Sequence, residues 1–340
     1  MPDPLRYLQA MGVAAIVSAS IALMMAALRR PLSDAWRNSV SVLAIGIGLT
    51  LGCHWLAFRW QWPPANGLNR LLMLVLPAIG TLELVAGCSA KFPRFARLAP
   101  FCLAIAIPRI LLDGSVYLTP AGLPVPEQPL AVIYLASGFP LAGSWWLLTR
   151  LSQRASGVAI SLTIPLSLAL ATLCAGLSVM LAGYLKGGAA AFPVGGTLLG
   201  AVVAAWLLAL RFDNQTAVIP TVVVPPAVIS AGLVGLFGLL FVGCAFGRLP
   251  PGRAAVILLA PLACWATEWR LIRDRNPWIV ALLRLILVSI PLLVALILAK
   301  REFDRTMAPL LGAPQVSRRS MSYRTDHAIT QPQVPQDFSR

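Results

Sequence analysis

Ten stretches of nearly unbroken apolar residues, each about 15 to 29 long, follow one another through the chain with only short polar breaks between them. A bilayer's hydrocarbon core, about 30 Å thick, is crossed by about 20 helical residues or by about 10 residues of a tilted strand. Runs of this length therefore describe helices. In lipid every backbone N–H and C=O must be satisfied internally, which a helix does within one segment. The fold class that follows is all-α: a polytopic integral membrane helix bundle with about nine to ten transmembrane helices, several of them proline-kinked. Composition agrees, because 58% of the residues are hydrophobic and 11% charged, with a mean hydropathy of +0.80, against about 45–50% apolar in soluble domains.

The apolar periodicity places spans near 8–28, 40–58, 70–88, 98–118, 130–149, 158–181, 193–210, 218–246, 254–269 and 279–299. The transmembrane domain is thus 1–306, and 307–340 reads as a disordered, polar and basic C-terminal tail. That tail is rich in Pro, Ser, Gln and Arg and holds too few apolar residues to offset the entropy of ordering. The first apolar run is longer than a signal peptide's core and has its basic pair, Arg29 and Arg30, on the far side, as an uncleaved first span would.

The net charge of +15 does not point to nucleic acid, because the basic residues lie in short loops and in the tail instead of forming one patch. They report orientation in a cytoplasmic membrane. Arg29, Arg30 and Arg37 lie at the first break, Lys91, Arg94 and Arg97 at the third, Arg150 and Arg154 at the fifth. The fourth break has no Lys or Arg and the sixth only Lys186, although Arg59 and Arg70 at the second run against the pattern. The positive-inside rule then puts the odd loops in the cytoplasm and the N-terminus outside. Lys300, Arg301 and Arg305 ask for a cytoplasmic tail as well, and ten crossings cannot satisfy both. The expectation is that 218–246 or 254–269 is re-entrant or broken, the first of them at Pro225–Pro226, where two adjacent backbone donors are missing.

Small residues recur at helix-contact spacing in Gly48 and Gly52, in Gly196, Gly200 and Ala204, and in Gly232, Gly235 and Gly238. They let backbones approach closely, and in the last series could also make a sliding face. Tryptophans 55, 60, 62, 145, 146, 269 and 278 sit at span ends as interfacial anchors, and Trp206 reads as packed core. The six cysteines are scattered one per run, with no metal-ligand spacing, so they read as small core residues. No metal or cofactor site is expected.

The candidate site is Glu83, Arg109 and Asp113. Charges inside a span cost about 2.5–3.5 kcal/mol each on insertion scales, so they face protein or water and find partners. Arg109 and Asp113 are four apart and share a helix face. Glu83, about five residues or 8 Å from the end of its span, is the other partner within reach. Three readings compete: a structural cluster joining the third and fourth spans; a substrate or proton site where Arg109 holds an anion or the carboxylates take a proton; or Asp113–Gly114 as a turn at the membrane surface. His54 reads as interfacial and Arg284 as close enough to its span end to snorkel.

No catalytic residue stands out, since H-E-x-x-H, G-x-S-x-G, a P-loop and an acidic magnesium-binding cluster are all missing from the sequence. The reading that follows is a small-solute or ion-coupled transporter with a polar mid-membrane site. The alternatives are a noncatalytic subunit or scaffold of a larger membrane complex and, behind it, an intramembrane enzyme acting on lipid. The expected partners are the lipid bilayer, a small solute or ion, and other membrane subunits, with no nucleic acid.

Overall fold

Proline sets the local geometry of several segments in the computed structural model, which describes residues 4–28, 34–88, 93–114, 127–155, 157–212, 224–269 and 276–306. Every regular element among the described residues is helical: α1 Pro4–Leu28, α2 Asp34–Trp55, α3 Gly67–Arg70, α4 Leu76–Cys88, α5 Pro93–Leu112, α6 Glu127–Arg154, α7 Val158–Leu181, α8 Leu185–Ala189, α9 Ala191–Phe212, α10 Pro226–Phe246, α11 Pro251–Leu259 and α12 Pro277–Thr306. A π-turn, Leu71–Val75, fuses α3 to α4. Pro77 has no N–H for the Met73 carbonyl and its ring would crowd it. The ladder shifts register there, and the Leu76 N–H reaches back five residues to Leu71 O. After α11, residues Ala260–Glu268 continue as a 3₁₀ segment with Pro261 in its first turn.

Seven of these helical segments are long and apolar enough to cross a membrane. The protein is a multi-pass membrane protein whose exposed apolar side chains contact lipid. Helices α5, α6 and the α11–3₁₀ rod pack beside these segments. Tyr7 at the start of α1 stacks on Phe192 at the start of α9, 5.4 Å between centroids. Arg248 after α10 donates to Ala182 O after α7. Arg253 on α11 pairs with Glu302 on α12. The start of α1 and the end of α12 therefore lie at one face, which we call the amino-terminal face.

The expectation of a re-entrant or broken late segment meets two findings, one in 254–269 and one at Pro225–Pro226. The last rod is paired with α12 at both ends, Arg253 to Glu302 and Thr267 to Arg284, and so follows α12 through the bundle. The sequence made 254–269 look short because it counted 1.5 Å per residue. A 3₁₀ segment rises about 2.0 Å per residue, and α11 plus nine such residues reach about the 30 Å of a bilayer core. Pro225–Pro226 does break its segment: Val224 and Pro225 are non-helical, Pro225 has ψ 137, and α10 starts at Pro226. Residues 218–223 of that segment, and the tail, lie outside the described residues.

The glycine series pack. A Cβ on Gly196 would collide with Met11 O and one on Gly200 with Ala15 O, so α9 lies directly on the α1 backbone. Gly232, Gly235 and Gly238 on α10 receive Leu198, Val194 and Leu71. Packing of this kind drives helix association where lipid is as apolar as the side chains. α10 is the most enclosed of the seven segments and α1 the least. Gly200→Val is expected to cost about 1–3 kcal/mol or more, because a backbone carbonyl cannot yield as a side chain can; thermal unfolding of the purified variant measures it.

Candidate functional site

The structure separates the three candidate residues. On α5, Ala104, Ile107 and Leu111 are buried, the i, i+3, i+7 stripe of a helix packed on one side. Arg109 is two residues from both Ile107 and Leu111, roughly 200° round the helix from the core face at 3.6 residues per turn. Its side chain is exposed and forms no ion pair among the described residues. The expected pairing of Arg109 with Glu83 or Asp113 is corrected on this point. α5 also ends at Leu112, not near 118, so Arg109 stands about 5 Å from its end. Asp113 and Gly114 form a turn, with Gly114 at φ 62, a left-handed conformation that favours glycine. The Asp113 side chain is 74% exposed and pairs with Arg70 at 3.7 Å.

Glu83 is different, being 8% exposed. Its neighbours come from three other helices, and all are neutral. Ser230 on α10 donates its hydroxyl to Glu83 Oε1, and Trp145 on α6 donates to Ser230 Oγ at 3.1 Å. Asn38 on α2 donates Nδ2 to the Glu83 backbone carbonyl at 2.8 Å and, at 3.5 Å, to Oε2. The same Asn38 accepts the Ala227 N–H through Oδ1 at 3.1 Å. That N–H belongs to the first turn of α10, which lacks an intrahelical acceptor and must find one elsewhere. The double-proline break thus creates a donor that Asn38 satisfies, and Asn38 in turn orients Glu83. The partial positive charge of a helix N-terminus also favours an anion near the start of α10. No Lys, Arg or His among the described residues forms an ion pair with Glu83. A carboxylate offers about four lone-pair sites, and among the described residues Oε2 has only the long contact to Asn38.

Glu83 lines a cavity of about 600 Å³ between α2 and α4, floored by α9 and α10. Its walls are apolar apart from Thr50, Thr81, Thr197, Trp60 and Glu83. The volume lies within the roughly 300–1,000 Å³ of small-molecule sites, which are mostly apolar with a few placed polar groups. The cavity exists partly because Gly46 leaves open space, with nothing within 4 Å of where a Cβ would stand. A smaller cleft of about 100 Å³, lined by Arg37, Ser18 and Ser41, lies across α2 from it.

A second buried polar group was expected to snorkel and does not. Arg284 on α12 is 1% exposed. It pairs with Glu268 and donates Nε to Thr267 Oγ1 at 2.7 Å and Nη1 to Ile160 O and Thr163 Oγ1, both at 3.4 Å. The 3₁₀ segment brings Glu268 and Thr267 to it. With a matched carboxylate and neutral acceptors around it, this arginine ties α7, α12 and the 3₁₀ segment together.

Among the tryptophans, 55, 60, 62, 146, 269 and 278 are exposed as anchors should be, whereas Trp145 is buried on Ser230 and Trp206 is 45% exposed. Their roles are the reverse of the expected ones, because position along a span says nothing about which way its helix faces. Cys102 is likewise exposed, whereas Cys53, Cys174 and Cys264 are core residues as expected. Asn38, Ser230 and Trp145 are neutral, so the charge pattern of the sequence does not mark them as partners of Glu83. The freed donors after Pro225–Pro226 were the signal that pointed to them. Neither known family models nor curated proteins match the chain.

Proposed function

We propose that the protein is a proton- or ion-coupled transporter of small solutes in the cytoplasmic membrane, with Glu83 as its coupling site. The observation that carries this reading is a buried carboxylate on a cavity wall, held by neutral donors and lacking a described counter-ion. A purely structural carboxylate has its charge matched, as Glu268 has in Arg284. One held by neutral groups can gain and lose a proton or cation without breaking an ion pair, and its intramembrane position makes a pathway the default reading. Arg109 and Asp113 form no part of the proposed site.

In proteoliposomes, small solutes that the protein carries are expected to produce electrical currents or proton movements that are lost in Glu83→Gln. Infrared difference spectra between acid and alkaline buffer are expected to show a protonated-carboxyl band that the same variant lacks. A variant that keeps both currents and band would reject Glu83 as the coupling site.

We infer the orientation separately, from the charge of the breaks. In chain order the breaks that alternate with those of the amino-terminal face carry Arg29, Arg30, Arg37, Lys91, Arg94, Arg97, Arg150, Arg154, Arg211, Arg270, Arg273 and Arg275, against Arg59, Arg70, Lys186, Arg248 and Arg253 in the others. The positive-inside rule favours the cytoplasm for the first set, against the cytoplasmic tail that Lys300, Arg301 and Arg305 ask for. The start of α1 and the end of α12 are then both extracytoplasmic. A reporter enzyme active only outside the cytoplasm should be active when fused after residue 306; activity of a cytoplasm-only reporter there would reverse the assignment.

A further inference from the structure

We infer that the Glu83 cavity takes a single-chain cationic amphiphile, with its positive head at Glu83 and its hydrocarbon chain along the groove between α2 and α4. This rests on reading Glu83 as a transport site and names the class of molecule that site would accept. The argument starts from the direction of the groove. α2 runs from the cytoplasmic-assigned face toward the amino-terminal face, and the fused α3–α4 segment runs back, so Val42 and Glu83 lie at one end of the cavity and Thr50, Trp60 and Leu72 at the other. The one ionisable lining residue is therefore at one end, about 8 Å from the end of α4. The length beyond it is walled by apolar side chains such as Leu43, Ile47, Met73 and Leu198.

The side walls are open to the bilayer. Leu43, Ile47 and Gly46 on α2 and Pro77 and Thr81 on α4 line the cavity and are exposed, so a molecule dissolved in lipid reaches it sideways without passing through water. An amphiphile in the adjacent leaflet already lies with its head toward that face and its chain toward the bilayer centre, the polarity of the groove. Charge decides which amphiphile. Glu83 Oε2 holds only the long bond from Asn38 among the described residues and Glu83 has no described cationic partner, so a cationic head gains an ion pair in a low-dielectric site, an anionic head meets repulsion, and a neutral head gains only the apolar contact. Because a carboxylate holds either a proton or the cationic head, the two compete, which couples binding to pH without further machinery.

The test uses the full chain in phosphatidylcholine nanodiscs with radiolabelled dodecyltrimethylammonium, whose charge cannot be lost by deprotonation. Saturable binding to one site per chain is expected, weakened at least tenfold in Glu83→Gln and weakened on acidification. Dodecanol and laurate, with the same chain and a neutral or anionic head, should not compete. Gly46→Leu places a side chain in the open space of the groove, leaves the hydrogen bonds of Glu83 intact and should also abolish binding; it carries the test alone if Glu83→Gln does not fold. Absence of saturable binding, equal binding by both variants, or equal competition by dodecanol would overturn the inference, the last showing a groove that takes any alkyl chain. If binding fails while the Glu83-dependent infrared band and currents persist, only the substrate class is lost. If those fail too, the transport reading falls with it.

Discussion

Arg284→Ala should lose about 3–5 kcal/mol of stability, the usual consequence of removing one partner of a buried ion pair and leaving the other charge stranded. Arg284 is among the largest fully buried side chains, and its guanidinium connects Glu268, Thr267, Thr163 and the Ile160 carbonyl. Truncation leaves Glu268 without its cation and opens a void where α7, α12 and the 3₁₀ segment meet. Folded yield and thermal unfolding in mild detergent would both fall. The paired change Arg284→Met with Glu268→Leu should recover most of the loss, since a buried pair replaced by apolar residues of similar volume is often neutral or stabilising. A double variant as unstable as the single one would show that the geometry of the 3₁₀ segment, and not charge balance, depends on this arginine.

Asn38→Leu is expected to cost roughly 2–6 kcal/mol, because it strands two buried groups, the Ala227 N–H and the Glu83 carbonyl, each worth about 1–3 kcal/mol. Asn38→Asp separates two contributions. It keeps an acceptor for Ala227 but removes both donor bonds to Glu83 and brings a second carboxylate to the position from which Nδ2 now contacts Oε2 at 3.5 Å. Like charges at that separation disfavour joint ionisation. Asn38→Asp should therefore be unstable at neutral pH and regain stability as pH falls, when one proton shared by the two carboxyls removes the repulsion and restores a donor. Asn38→Leu should show no such recovery. Unfolding of both variants across a pH series distinguishes them, and parallel pH profiles would show that Glu83 carries no charge in the folded protein.

Membrane architecture could be read from the sequence because it is a one-dimensional property. Whether a run of residues is apolar and about 20 long does not depend on its neighbours, and the bilayer forces such a run into a helix. The same holds for the break at Pro225–Pro226, which follows from two missing N–H groups, and for the close contacts at Gly196 and Gly200, which follow from a missing Cβ. Helix facing was not legible. The sequence places Arg109 inside a span and Arg284 near a span end, yet Arg109 is exposed and Arg284 buried, since which side of a helix meets its neighbours is set by packing around the whole bundle. The 3₁₀ stretch at Ala260–Glu268 changed both the reach of its segment and the partners of Arg284, and a change of helical pitch is poorly encoded in hydropathy. Glu83 stood out in the sequence as a charge needing partners. Only the tertiary structure supplied Asn38, Ser230 and Trp145 from three separate helices, because neutral hydrogen-bonding groups become a site only when folding removes them from water together.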